Sequence, residues 1–527
     1  MGLELCASAG FGLRRPTLAP RERAIKRGPR RLTAAIVLAS AGLLAPACAL
    51  NQEGVEPPKD DIFYPASALV DDSGDFLYVS NSNSDLRYNN GTLAVVKLAD
   101  ARADYANPPQ PWPVCPSAYY IPPTSTPVSP HMCCWDYLDH QVLNCGSRQY
   151  VDADATVRLG SFAASMVFNK GANCTPDAPA PCGQLYVSVR GNTSITVIDS
   201  KTVPDPQDPG NADGARRLFC RTNDTSAFGE CDEDHRITVR EGPDEPVAQN
   251  DASKILLPEE PYALALSLMR DQLLVGHLRG GAVSLIDLTA APPKLVGFYG
   301  AIVPADTSGL RGITSLLLRD HGPRAGHFYA GSRYVPRVMG VVTTGVFDPM
   351  AGPAVLDNVA VIDSGEQYIS SLPGSETRGI QFIDPIADEP VKKDLAFVLQ
   401  RVPPALLSFD SDNMNNTAPV DVLETCNSPT FLYQHGKDQN LRLYVNCFED
   451  GEIYVFDPRV PRLVDVIEVG RGPAGMAFPP DDSAEAGKRA YVVGFGANNI
   501  SVVDIKPGSP TENHVIQRLG FPSPVPR

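Results

Sequence analysis

Apolar residues along this chain gather in short runs that carry a strand signature. Leu77-Tyr78-Val79-Ser80, Leu185-Tyr186-Val187-Ser188 and Leu443-Tyr444-Val445-Asn446 set the pattern. Leu273–Gly276, Phe328–Gly331, Ala396–Leu399 and Ala490–Val493 repeat it. Four residues rich in Leu, Tyr and Val are too few for a helix and suit a strand buried on both faces. A second run usually follows and ends in an acid, at Asp199, Asp287, Asp410, Asp457 and Asp504. From the second residue of the first run to that acid the interval is 13 in all five units: 186 to 199, 274 to 287, 397 to 410, 444 to 457 and 491 to 504. The first unit reaches Lys97 instead, 19 residues after Tyr78, and the fourth reaches Asp348, 19 after Tyr329. Both therefore read as carrying six extra residues between their two strands.

Another apolar run precedes each pair, and a further one often follows, as in Leu463–Val469. Each unit thus has four short strands, A to D, and long amphipathic helical patterns are nearly absent. A fixed repeat of four strands predicts radial stacking of small sheets around a central channel, with strand A innermost. The fold class expected is all-β: a seven-bladed β-propeller of four-stranded antiparallel blades, with disulfide-bearing loop insertions. The pattern Pro…Leu-Tyr-Val…Val-x-Val-Ile-Asp resembles the YVTN-type propeller repeat, a relative of the WD40 and lactonase-like propellers. The resemblance covers roughly residues 62–521 and is weakest in unit 4. The repeated Asp reads as a turn former at the C–D corner.

Two stretches break the ruler and read as insertions, at about 98–155 and 203–235. The first is Pro-rich and holds Cys115, Cys133, Cys134 and Cys145; the second holds Cys220 and Cys231. An extended, disulfide-fixed loop is expected for the first.

Residues 1–47 differ from the rest, with eight basic residues against Glu4 and Glu22. The apolar stretch Leu32–Leu44 that follows is 13 residues long, too short to span a bilayer as a helix and suited to a secretory signal. Ala45-Pro46-Ala47-Cys48 then resembles a bacterial lipobox, which makes Cys48 the lipidation candidate; cleavage after the small residue Ala47 is the alternative. Residues 48–61 read as a flexible tether and 62–527 as one propeller domain. The resulting address is the outer membrane or cell surface, otherwise the periplasm, with membrane contact through a lipid anchor only.

Charge and cysteine use fit export. Lys+Arg 45 against Asp+Glu 61 gives a net charge of -16, and removing the basic leader makes the remainder more acidic still. Such a chain is a poor candidate for nucleic acid, whose binding rests on phosphate neutralisation. Apart from Cys6 and Cys48 the cysteines number ten. An even count in an exported chain favours disulfides over zinc. Spacing favours Cys174 with Cys182 and Cys220 with Cys231, and symmetry about the turn at Gly436 favours Cys426 with Cys447. The pairing of Cys115, Cys133, Cys134 and Cys145 stays open.

The sequence contains no nucleophile elbow, P-loop, dinucleotide fingerprint or His-Glu-x-x-His motif. No cofactor and no metal site are predicted. His321 and His327 read as a solvated turn, Asp410–Asn415 as an incomplete calcium loop, and Trp112 and Trp135 as a packed loop core. Arginine placement is the one site signal. Arg87, Arg190, Arg279, Arg333 and Arg401 fall in B–C loops, three of them four residues after the strand-B aromatic. Arg311, Arg378 and Arg471, each followed by Gly, approach strand A. Both loop sets emerge on one propeller face, so an arginine-rich channel mouth is expected. Guanidinium forks suit carboxylate or phosphate. The expected function is non-catalytic binding of an anionic small molecule or glycan, or of an envelope protein. The alternative is a lactonase-like or other hydrolytic enzyme with its site at the channel mouth.

Overall fold

The computed structural model describes residues 54–107, 111–115, 132–171, 182–203, 215–221, 229–240, 255–267, 271–300, 302–303, 305–319, 327–335, 337–344, 355–363, 376–383, 395–410 and 419–521. They form an all-β propeller of antiparallel blades. The inner strands A are Pro65–Val70, Ala163–Lys170, Pro261–Ser267, Ile313–Leu318, Thr377–Ile383, Pro429–His435 and Pro473–Ala477. Each packs beside the next, and the last returns to the first. Five blades are plain four-stranded sheets, blade 2 gains a fifth strand, and blade 7 grows to six.

The apolar runs pack between blades rather than inside one central core. Seven separate clusters of buried side chains fill seven seams, such as Leu274, Leu285, Phe328 and Ala330 between blades 3 and 4. This explains why the strands read as continuous apolar runs. Both faces of each sheet are covered by neighbours, so no polar face alternates with the buried one.

Register explains the 13-residue ruler. Tyr186 pairs with Val197, Leu274 with Leu285, Phe397 with Ser408, Tyr444 with Val455 and Tyr491 with Val502, each partner lying 11 residues on. The acid follows two residues later, where the chain turns. Asp287 accepts the backbone N–H of Thr289, Asp457 that of Arg459 and Asp504 that of Lys506, so these are turn-forming carboxylates. Asp199 differs, because strand C of blade 2 runs on from Ser194 to Val203 and holds it within the sheet. In blade 1 Tyr78 pairs with Val95, six residues beyond the common offset, so that B–C loop is enlarged.

Blade 4 corrects the sequence reading. Tyr329 pairs with Gly340 at the ordinary offset of 11, so its B–C loop has no extra residues. Strand C simply continues to Thr344, with Val342 where other blades place Asp.

The insertions also differ from expectation. The described part of the first is not an extended loop: it begins with helix α1 (Leu98–Ala106), contains a hairpin of Cys133–Trp135 with Leu143–Cys145, and ends inside strand D of blade 1 (Val151–Leu159). The second contains strand D of blade 2 (Ala215–Phe219). Part of the expected tether is held by hydrogen bonds: Val55 bridges to Tyr88, and the Asp61 carboxylate accepts the Ser147 hydroxyl at 2.6 Å.

The four core strands A to D of each blade follow one another along the chain, interrupted in blade 1 by the first insertion, so no core strand is exchanged where the first and last blades meet. The first insertion supplies that link. Leu143–Cys145 pairs in parallel with strand D of blade 7 (His514–Leu519), and Gly520 N–H donates to the Cys145 carbonyl at 2.8 Å. Disulfides Cys133–Cys145 and Cys115–Cys134 hold the hairpin. Leu98, Ala101, Cys133, Leu143 and Tyr150 then fill the seam between blades 7 and 1. Trp112 and Trp135 pack against the same cluster.

Cys220 pairs with Cys231 and Cys426 with Cys447. The second pair does not face across the hairpin. Cys447 lies opposite Pro429, because the A–B turn is centred between Asp438 and Gln439, beyond the symmetric placement at Gly436, and Cys426 reaches it from the loop before strand A. Closing about 20 residues contributes on the order of 3 kcal/mol in the chain-entropy model. Cys182 is disulfide-bonded. Its expected partner Cys174, together with Cys48, His321 and residues 411–415 of the calcium-loop reading, lies outside the described residues.

His277 ends strand B of blade 3 (Gln272–His277) and is fully buried. Its Nδ1 donates to the Glu259 carbonyl at 3.2 Å, and its Nε2 accepts the Ser284 hydroxyl at 2.8 Å. Burial lowers its pKa from 6.5 to about 4. The native state holds it neutral, while the unfolded chain protonates below 6.5. Stability from this group is therefore complete above pH 6.5 and lost as pH falls toward 4, about 3 kcal/mol in all. His277→Gln should flatten the fall in urea stability over that window. Equal slopes in the two proteins would show that other groups carry it.

Candidate functional site

One hydrogen bond recurs in every blade and builds the channel mouth. The residue after strand B donates its N–H to the carbonyl of the residue near the start of strand A: Ser82 to Tyr64, Arg190 to Phe162, Leu278 to Glu260, Arg333 to Gly312, Arg401 to Glu376, Phe448 to Ser428 and Phe495 to Gly472. These seven donors occupy equivalent places around one ring. Arginine takes three of them, on blades 2, 4 and 5, and phenylalanine takes two, on blades 6 and 7. The four-residue spacing after the strand-B aromatic marks this position.

A second ring comes from the inner strands. Every strand A has a register shift at its mouth end, between Pro65 and Ser67 in blade 1 and between Thr377 and Gly379 in blade 5, for example. A bulge leaves one residue unpaired and re-aims its side chain. The bulge residues Ala66, Ala164, Tyr262, Thr314, Arg378, Thr430 and Ala474 all line the central cavity of about 430 Å³. Most are small. In blade 5 the position carries a guanidinium, so Arg378 belongs to the channel wall and is not equivalent to Arg311 or Arg471 on the loops. Arg190 and Arg378 are the charged residues of that lining, which also holds Phe162, Phe431, Tyr433, Phe448 and Phe495.

The mouth has two unlike arcs. On blades 6, 7 and 1 the Phe495 ring lies 5.4 Å from Tyr64 and 6.1 Å from Phe448. On blades 4 and 5 three arginines converge on one buried carboxylate. Glu376 takes Arg378 at 2.8 Å, Arg401 at 3.5 Å and Arg333 at 3.8 Å. Arg401 also donates to the Ser428 hydroxyl at 2.7 Å. One negative charge against three positive leaves this arc positive.

The remaining predicted arginines separate from this cluster. Arg190 pairs with Glu260 at 3.4 Å. Arg279 is one residue past the ring position, exposed, and pairs with Glu259 at 2.5 Å. Arg87 pairs with Asp85 in the enlarged loop of blade 1. Arg311 and Arg471 have no hydrogen-bond or ion-pair partner among the described residues. Sequence reasoning missed Glu259, Glu260 and Glu376, which sit in loops that carry no ruler. A positional signal was present all the same, because Glu260 and Glu376 immediately precede strand A, where the backbone carbonyl accepts the recurring N–H.

No family model matches the chain. No curated protein matches it either. Solved structures to which it is similar include hydrazine synthase of Kuenenia stuttgartiensis (14% identity over 88% of this chain and 99% of that one, TM-score 0.42); a 6-phosphogluconolactonase candidate of Bacteroides uniformis (12%, 78% and 87%, 0.43); and a chain of the COPII outer coat vertex on membranes (11%, 86% and 87%, 0.47). These are similarities only; the propeller architecture rests on the blades of this chain itself.

Proposed function

We propose that this is an exported β-propeller of YVTN-type repeats, anchored through Cys48, that holds an anionic ligand or partner over the mouth of its channel without transforming it. The convergence of Arg333, Arg378 and Arg401 on the single carboxylate of Glu376 carries this reading. A carboxylate or phosphate drawn to that arc meets guanidiniums already held in place, which lowers the ordering cost of binding. The aromatic arc opposite gives the uncharged part of such a ligand a surface to lie against.

Titration calorimetry with a panel of small anions tests it. Arg378→Gln with Arg401→Gln should weaken binding by about tenfold per guanidinium, as expected for hydrogen bonds to charged groups, when titrated below the variant's own melting transition. Undiminished binding in the double variant rejects the site. The export reading rests on the basic leader, the apolar Leu32–Leu44 run and Ala47-Cys48. Mass spectrometry of the mature N-terminus should find acylated Cys48, and an unmodified chain starting elsewhere removes the anchor.

A further inference from the structure

A second cavity opens on the same face, away from the channel, in the notch between blades 3 and 4. Its volume is about 470 Å³, and its wall includes Arg279, Arg311, Arg333, Leu310 and Tyr334. Three guanidiniums therefore border one cleft. Arg311 is the decisive one: its Nε is buried with no hydrogen-bond partner, and among the described residues no carboxylate neutralises its head. A buried donor left unsatisfied costs free energy that a ligand oxygen recovers.

The backbone holds Arg311 in place. Asp306 accepts the N–H of Ser308 at 2.9 Å and of Leu310 at 2.8 Å, closing the loop just before it. Gly312 then runs so close to blade 3 that a Cβ would stand 2.2 Å from the Leu278 carbonyl. Gly281, at φ +62°, makes room beside the Arg311 Cβ, which a side chain there would meet at 2.9 Å. Arg333 lies over the Tyr334 ring at 5.1 Å, so its fork is presented on a flat support. Glu260 also borders the cleft and opposes an anion, but Arg190 takes its charge at 3.4 Å.

We propose that this notch binds the phosphate group of a small phosphate monoester, with Arg311 and Arg333 as the primary donors, Arg279 at the rim, and Tyr334 and Leu310 against the ester's organic part. The inference rests on the anion-binding reading of this face and adds a place and a ligand class to it. A phosphate monoester carries close to two negative charges at neutral pH and offers three acceptor oxygens, enough for more than one guanidinium at once. A carboxylate offers two oxygens and a single charge.

Calorimetric titration of the full chain with phenyl phosphate, inorganic phosphate, phenyl sulfate and benzoate tests the proposal. Phenyl phosphate should bind most tightly, and benzoate least. Arg311→Ala should weaken phenyl phosphate at least tenfold, and adding Arg333→Ala should abolish its binding. Lys506→Ala, on an exposed turn of the opposite face, should change nothing. Binding that survives Arg311→Ala within twofold overturns the proposal. If phenyl phosphate binds but is lost only with Arg378→Gln and Arg401→Gln, the notch is rejected while the mouth arc stands. If no anion of the panel binds, both readings fail.

Discussion

Arg216→Met should cost this protein about 3–5 kcal/mol of stability, the range seen when one partner of a buried ion pair is removed. Arg216 sits on strand D of blade 2 and reaches across the seam to the A–B turn of blade 1. Its guanidinium lies 2.6 Å from Asp71 and 3.2 Å from Asp72, and donates to the Thr202 hydroxyl at 3.1 Å. Asp71 is fully buried and also accepts the N–H groups of Gly74, Asp75 and Phe76. Without Arg216, the partners left to Asp71 among the described residues are neutral donors: the Ser73 hydroxyl and those three N–H groups. Burial raises the Asp72 carboxyl above its ordinary value even with Arg216 beside it. Urea unfolding measures the loss. The double variant Arg216→Met with Asp71→Asn should recover part of it, because the fully buried carboxylate is then neutral and only the partly buried Asp72 has lost its partner. A loss below about 1 kcal/mol would mean that the turn relaxes toward solvent.

The second large effect is expected at the clasp between blades 1 and 7. Cys133→Ala with Cys145→Ala removes a bridge closing 12 residues of chain, about 3 kcal/mol in the chain-entropy model. Both cysteines are fully buried in the seam cluster. The loss should therefore be local as well as global. Hydrogen exchange at Gly520, whose N–H donates to the Cys145 carbonyl, should speed up in the variant before that of strands in blades 3 to 5. Unchanged protection at Gly520 would show that the parallel pairing closes the ring without the disulfide.

What the sequence made legible follows from what repeats. The ruler of 13 is a cross-strand offset of 11 plus a turn residue, so any blade with an ordinary B–C loop and a C–D aspartate displays it. Blade 4 has the offset without the aspartate, and placing its acid at Asp348 moved six residues into a loop that is short. Helix α1 went unseen because its nine residues, LADARADYA, place only Leu98 and Ala101 in the core. Strand D of blade 1 hid for a related reason: Val151–Leu159 mixes two aspartates and an arginine with its apolar positions.

The mouth arginines split the same way. Arg190, Arg333 and Arg401 obey the repeat and share one structural position. Arg378 and Arg311 both precede glycine, yet one is a bulge residue of the channel wall and the other borders an outer notch. Dipeptides carry no register, and only the hydrogen-bonded partner of each loop tells the two apart.

The clasp also sets an order of assembly. Arg518 and Asn144, joined in it by side-chain hydrogen bonding, stand 374 residues apart, whereas the disulfides that stiffen the hairpin span only 12 and 19. A chain made from its N-terminus holds the complete hairpin long before strand His514–Leu519 exists. Local bridges form over short loops at little entropic cost, while the distant pairing must wait for the far end of the chain. The rigid piece is therefore finished first, and the ring shuts on it last.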